Sequence, residues 1–331
     1  METKNNFKPL IFINEFKNGL FRTKLKEDEN YLKKIGNVIA NLLPADNEIY
    51  DVNKTENMFK YLNGFIRYNK NNYQIEGVCK SEGPIVGEEM LYSKYAVYNS
   101  LNLFGCVFYN LLKKVSFYNC YFHKIDKYFR FDNFDYFSFI DIIVKNLKNY
   151  LLKDNISYVC TYDITMMISA LIEKTISLCF YSQFVNKIKK IDMETKKKFT
   201  KCELNIFTDF IENKFKRSIG EELISLKNII LKYDIIDKKS FLLIIEGSYL
   251  NKDQTKITKS LTALLESKLC KEIIPNNLRK FLIIIYKDYN LRNDILHLNT
   301  TNYNNFNIFI TLVLYYILNL LIISLVKGQT R

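Results

Sequence analysis

The chain has 331 residues, of which 48% are hydrophobic and 25% charged, with a formal net charge of +13 from 48 Lys and Arg against 35 Asp and Glu. That balance excludes an intrinsically disordered chain and describes a folded protein long enough for two domains. The basic surplus suits a phosphate-bearing partner. Part of it follows from A/T-rich coding, which also explains the abundance of Lys, Asn, Ile, Phe and Tyr and the absence of Trp.

Seven cysteines (Cys79, Cys106, Cys120, Cys160, Cys179, Cys202 and Cys270) are odd in number and form no C-x-x-C pair. This pattern argues against a disulfide framework and a structural zinc site, and predicts reduced thiols in a cytoplasmic protein. The polar opening Met1-Glu2-Thr3-Lys4 contains no signal-peptide core. No cluster of Asp, Glu, His or Cys has metal-ligand spacing, so neither a metal nor another cofactor is expected.

Residues 1–133 predict a smaller, mixed α/β region of unknown role. Apolar runs at 10–13 and 73–78 predict strands, and the aromatic-polar mixture of 115–125 reads as extended. His123 lies in that last stretch as an ordinary strand-face residue. Residues 31–43 carry Leu32, Ile35, Ile39 and Leu42 at helical spacing and stop before Pro44, which predicts a helix. Gly83-Pro84-Ile85-Val86-Gly87 lacks the Lys-Ser/Thr sequel of a P-loop and reads as a turn.

From residue 134 the character changes. No proline occurs from Phe134 to Ile274, and no glycine from Cys106 to Ile219. Helix after helix is therefore predicted over 134–331. Tyr136, Phe139, Ile140, Ile143, Leu147 and Tyr150 form one apolar stripe. Ile164, Met167, Ile168, Leu171, Leu178 and Cys179 form a second, with Asp163 as its expected N-cap. Thr200-Lys201-Cys202-Glu203 and Ser218-Ile219-Gly220-Glu221 match the capping box and mark two further starts. Segments 241–246, 258–268 and 276–287 continue the series.

Lys187, Lys189 and Lys190, followed by Lys196-Lys197-Lys198, make a basic cluster. It reads as a solvated linker between helices, and as an RNA-binding surface if it flanks a cleft. Near the C-terminal end, 308–326 is apolar except for Thr311, Asn319 and Ser324. Its length matches a bilayer span. The preferred expectation is a core helix packed inside a bundle, with no membrane.

The chemistry-bearing stretch is Arg292-Asn293-Asp294-Ile295-Leu296-His297, which holds one of only two histidines. RNA is cut without a metal when its 2′-OH attacks the adjacent phosphate, which requires proton transfer and charge stabilisation. Arg292 supplies a permanent cation shaped to phosphate. His297 supplies a group that titrates near neutral pH. On an ideal helix the two diverge by about 140°, so convergence on one phosphate favours a helix start at the motif. The Asp288-Tyr289-Asn290 break fits such a start.

This spacing resembles the Arg-x4-6-His motif of the HEPN superfamily, over six residues and their helical setting. The resemblance implies a C-terminal α-helical bundle carrying the motif and a homodimer in which two motifs face one composite cleft. It also implies metal-independent endoribonuclease activity in antiviral defence: CRISPR-associated effectors, abortive-infection proteins and toxins, with a possible defence-system protein partner. Arg292 and His297 would be the catalytic pair, with Asn293 orienting its neighbours. One toxin subgroup has Tyr two residues after the His, where this chain has Asn299. The alternative is a catalytically inactive helical module that binds nucleic acid or a protein partner.

Overall fold

A computed structural model describes residues 51–72, 101, 104, 105, 108, 136–151, 161–191, 193–212, 228–236, 261–288, 291 and 308–329. Among these residues helix accounts for 89% and there is no strand, so the described part of the chain is mainly α. The expected strands and helix of the first 50 residues, the segments at 73–78, 83–87 and 115–125, and those at 218–221 and 241–246 lie outside the described residues.

In chain order the helices are α1 (Val52–Asn72), α2 (Tyr136–Leu151), α3 (Tyr162–Lys189), α4 (Met193–Lys197) and α5 (Lys201–Glu212). After a helical turn at 228–232 come α6 (Leu261–Glu266), α7 (Lys268–Ile273), α8 (Asn276–Ile283), a π-helical turn (Ile284–Asp288) and α9 (Ile308–Gln329). The chain divides into two compact units, each assembled from separated segments. The first takes residues 1–121, 137–172 and 275–320; the second takes 122–136, 173–274 and 321–331. Helices α3 and α9 each contribute to both.

The core of the first unit is aromatic. Phe59 of α1 lies with ring centroids 5.5 Å from Phe281 of α8 and 6.3 Å from Tyr316 of α9. Phe104 and Phe108 close the cluster, with Phe108 centred 4.3 Å from the Tyr316 ring. All five side chains are excluded from solvent. Such rings bury large areas, and their tilted and edge-on pairings add to that burial. Gly105 allows the approach of α9: a Cβ there would collide with the Phe309 carbonyl.

α9 is buried on every side from Ile308 to Leu325. A helix apolar all round must be enclosed, and its few polar groups must be matched. Thr311 lies 2.6 Å from the Thr161 hydroxyl and 2.7 Å from that of Thr165, at the start of α3. The Asn319 amide donates to the Tyr315 carbonyl one turn back, at 2.8 Å. The same helix and residues 162–184 of α3 are long and apolar enough to cross a membrane, by length and composition alone.

Several expectations need correcting in detail. Backbone bonding of α3 begins at the Thr161 carbonyl, to which the Thr165 amide donates at 2.9 Å. Asp163 is therefore inside the first turn and not the N-cap; it accepts a 3.4 Å bond from the Tyr150 hydroxyl. Phe139, assigned to the buried stripe of α2, is 37% exposed. The stripe at 258–268 is interrupted at Ser267, whose hydroxyl caps α7 by accepting from the Cys270 amide. By contrast, the capping box at α5 is realised in both directions. The Thr200 amide donates to Glu203 Oε2 at 2.7 Å, and the Glu203 amide donates to Thr200 Oγ1 at 3.2 Å.

In the second unit the apolar residues come from the later turns of α3 (Ile176, Cys179, Phe180, Phe184), from α6 and α7 (Leu264, Leu265, Leu269, Cys270, Ile273) and from the end of α9. Burial pushes the Cys179 thiol well above its ordinary range, and neighbouring Cys270 adds to the shift. The helical turn at 228–232 ends on Asp234 with φ of 48°, while the Ile235 amide reaches back to the Ile230 carbonyl at 3.1 Å. A non-glycine thus fills the left-handed position that closes a helix C-terminus.

Candidate functional site

Arg292, Asn293 and His297 lie outside the described residues, so their side-chain geometry is not part of the picture. What the structure does place is the scaffold on each side of them. Upstream, α8 carries Leu278, Phe281 and Leu282 into the core of the first unit. Its last amide, that of Ile284, is shared between the Lys280 and Phe281 carbonyls. From Ile284 to Asp288 the helix then widens into π geometry. Leu291 is helical and 1% exposed, next to Arg292. Downstream, α9 is buried from its first residue, Ile308, to Leu325.

The π turn was not legible in the apolar spacing of 276–287, because one extra residue per turn leaves the composition unchanged. Its consequence is geometric. An extra residue turns everything beyond it by about 100° around the axis relative to a regular α-helix. π turns inside helices recur at functional sites for this reason. Here one immediately precedes the segment with the Arg-x4-His spacing.

A second feature escaped the sequence reading: a polar seam between α1 and the first turn of α8. The Asn277 amide donates to Glu56 Oε1 at 2.8 Å, and its side-chain nitrogen donates to the Glu56 carbonyl at 3.4 Å. The Asn277 carbonyl accepts from Asn63 Nδ2 at 3.1 Å. Glu56 and Asn63 are seven residues apart, two helical turns, and so share one face of α1. Glu56 Oε2 and Asn63 Oδ1 are buried with no hydrogen-bond partner among the described residues. Two residues further along α8, Arg279 is only 9% exposed, and its guanidinium donates to Asn276 Oδ1 at 2.7 Å. The seam anchors the N-terminus of the helix that leads towards the motif.

The three lysines assigned to RNA binding fall differently from the expectation of a linker. Lys187 and Lys189 belong to the last turn of α3, and Lys190 follows it. Lys187 Nζ is 2.8 Å from Glu272 Oε1 of α7, with both side chains partly exposed. Lys190 is exposed. Lys196 and Lys197 sit on the short helix α4.

A third group surrounds Glu203 at the exposed start of α5. Its carboxylate accepts from the Thr200 amide, from Lys232 Nζ at 3.0 Å and from the Tyr233 hydroxyl at 3.1 Å. The Thr200 amide is the main cause that lowers its pKa to about 2, followed by Lys232. Lys232 is correspondingly shifted up by Glu203. The arrangement is a reinforced helix cap, with every carboxylate contact explained by structure. Among the described residues, no group of three or more His, Cys, Asp or Glu side chains is gathered as metal binding would require.

Comparison with protein-family models, with curated proteins and with solved structures returns no match to this chain.

Proposed function

We propose that the chain is a metal-independent endoribonuclease that cuts single-stranded RNA at a site built on Arg292 and His297, in a HEPN-like C-terminal bundle over 134–331. The observation that carries the reading is the Arg292-Asn293-x3-His297 spacing on a segment bounded by buried residues, Leu291 before it and Ile308 after it. A segment tied at both ends to a packed core is where an enzyme holds groups that must meet a substrate precisely.

In this reading His297 moves the proton of the attacking 2′-OH or of the leaving 5′-oxygen, and Arg292 neutralises the phosphoryl oxygens as charge builds on them. Asn293 orients its neighbours. One motif offers one guanidinium and one imidazole. Two copies of the chain facing each other supply a second pair, so the active species is a homodimer. The protein acts in the cytoplasm in antiviral defence or as a toxin, with a possible defence-system partner. Residues 1–133 form the smaller mixed α/β region. The burial of α9 from Ile308 to Leu325 supports its role as the core helix behind the motif, with no membrane.

The test is incubation of the purified chain with mixed RNA, wild type beside His297→Ala and Arg292→Ala. Cleavage is expected to survive chelation, to leave 2′,3′-cyclic phosphate ends and to spare DNA, which lacks the attacking hydroxyl. Each variant is expected to lose at least about 10²-fold in rate, the scale of one acid–base or charge-stabilising group, while melting near the wild type. Sedimentation at micromolar concentration is expected to show twice the chain mass. Full activity in His297→Ala removes the assignment and leaves a helical module that binds nucleic acid or a protein partner.

A further inference from the structure

Within the second unit, three elements that are far apart in sequence meet at one end. The Asn186 amide, in the last turn of α3, donates to the Gly328 carbonyl at the end of α9, at 3.4 Å. Gly328 also packs on Ile273 of α7, so closely that a Cβ would lie 2.7 Å from an Ile273 side-chain carbon. Lys187 of α3 then bridges to Glu272 of α7 at 2.8 Å. The ends of α3 and α9 and the length of α7 are thus fastened together by three independent contacts.

The charge they carry has one sign. Lys187 and Lys190 come from α3 and the residue just after it, Lys268 and Lys271 from α7, and Lys327 from α9, against Glu272 alone on these turns. Lys190, Lys268, Lys271 and Lys327 are all exposed. The buried face of α7 is Leu269, Cys270 and Ile273, which leaves Lys268, Lys271 and Glu272 on its outer side. Lysines at helix C-termini complement the helix dipole, which accounts for Lys187, Lys271 and Lys327 singly. It does not account for Lys268, the first residue of α7, where the dipole disfavours a cation.

We propose that this end of the second unit is a docking surface for the phosphate backbone of single-stranded RNA. Lys190, Lys268, Lys271 and Lys327 contact phosphates, and the Lys187–Glu272 pair holds α3 against α7. The inference rests on the ribonuclease reading for its choice of RNA as the occupant. The chemistry fits a polyanion: the lysines are compact point charges on flexible stems, which neutralise phosphates without reading bases. Binding through them is therefore independent of sequence and strongly dependent on salt.

The experiment uses the full chain carrying His297→Ala, so that the probe survives, and the same chain with Lys190→Gln, Lys271→Gln and Lys327→Gln added. Affinity for a fluorescent single-stranded RNA is followed across a salt series. Each phosphate contact contributes about 0.7 to the slope of log affinity against log salt for single strands. The triple change is expected to flatten that slope by about 2, and to weaken binding on the order of 10²-fold near 0.1 M salt. Circular dichroism is expected to match the parent, because the replaced groups are exposed.

An unchanged slope overturns the proposal, as does RNA binding too weak to measure in the His297→Ala parent. A single-stranded DNA of equal length is expected to lose affinity in parallel, since the contacts avoid the sugar. Vesicles with anionic lipid provide the rival: loss of vesicle binding with RNA binding intact would assign the surface to a membrane and overturn the RNA proposal. Failure of the catalytic reading is distinguishable, because it appears as unaltered cleavage by the single His297→Ala chain, whatever the lysines do.

Discussion

Two of the described helices start on a glutamate, and they do so in opposite ways. At α5, Glu203 accepts the amide of Thr200, three residues earlier, and its carboxylate stays at the surface. At α8, Glu56 accepts the amide of Asn277, which is 221 residues away, and one carboxylate oxygen is buried. The chemistry is the same: an anionic acceptor placed where a helix leaves amides without internal partners. The consequences differ. The first device stabilises its own turn, whereas the second fastens two helices across the core of a unit.

The contrast predicts a large effect at Glu56. Glu56→Ala strands the Asn277 amide in a seam where water has poor access. An abandoned buried donor costs about 1–3 kcal/mol. Thermal unfolding of the variant is expected to shift down accordingly, and Asn63→Ala is expected to be non-additive with it, because both residues hold Asn277. Strict additivity in the double variant would show that the seam is two separate contacts. If α8 carries the motif segment, Glu56→Ala is also expected to lower RNA cleavage without touching RNA; full activity at a temperature where the variant stays folded would uncouple the two.

This difference also explains what was legible in the sequence. The Thr200-x-x-Glu203 box is a local pattern, and it was visible because both partners sit within one turn. The burial of 308–325 was visible because an apolar run broken only by Thr311, Asn319 and Ser324 allows few outcomes. The Glu56–Asn277 bond left no local trace, since Glu56 reads as one more polar residue in an asparagine-rich helix. The Gly105 contact with Phe309 was equally silent: a glycine's neighbour 204 positions away cannot be inferred from spacing. The π turn at 284–288 hid behind a regular apolar pattern. The site itself was read entirely from Arg292, Asn293 and His297, which are outside the described residues, so its geometry rests on sequence.

A smaller effect is expected at the local device. Thr200→Ala removes one half of the capping box, and such losses typically cost about 1 kcal/mol. Thr200→Asn or Thr200→Ser retains an acceptor and is expected to restore most of it. A Thr200→Ala cost equal to that of Glu56→Ala would erase the distinction between a local cap and a core fastening. The loss should be additive with Glu56→Ala, because the two sites share no partner.

The smallest expected effect is a titration. Glu203 is held down at about 2 in the folded chain, against an ordinary value of 4.5. A carboxylate with a depressed folded pKa contributes stability that is fully present above its unfolded pKa and is lost as pH falls through the folded one. The melting difference between wild type and Glu203→Gln is therefore expected to be constant from neutral pH down to about 5, and then to close between pH 4.5 and 2. Taking a difference cancels the many carboxylates common to both chains. Because Glu203 meets Lys232 at the protein surface, where the lysine side chain is 56% exposed, screening keeps the gap small, and it should shrink further as salt rises. Lys232→Met should narrow the same gap without abolishing it, since the Thr200 amide is the stronger cause of the shift. A gap that persists unchanged at pH 2 would mean that Glu203 stabilises α5 through packing of its stem, not through its charge.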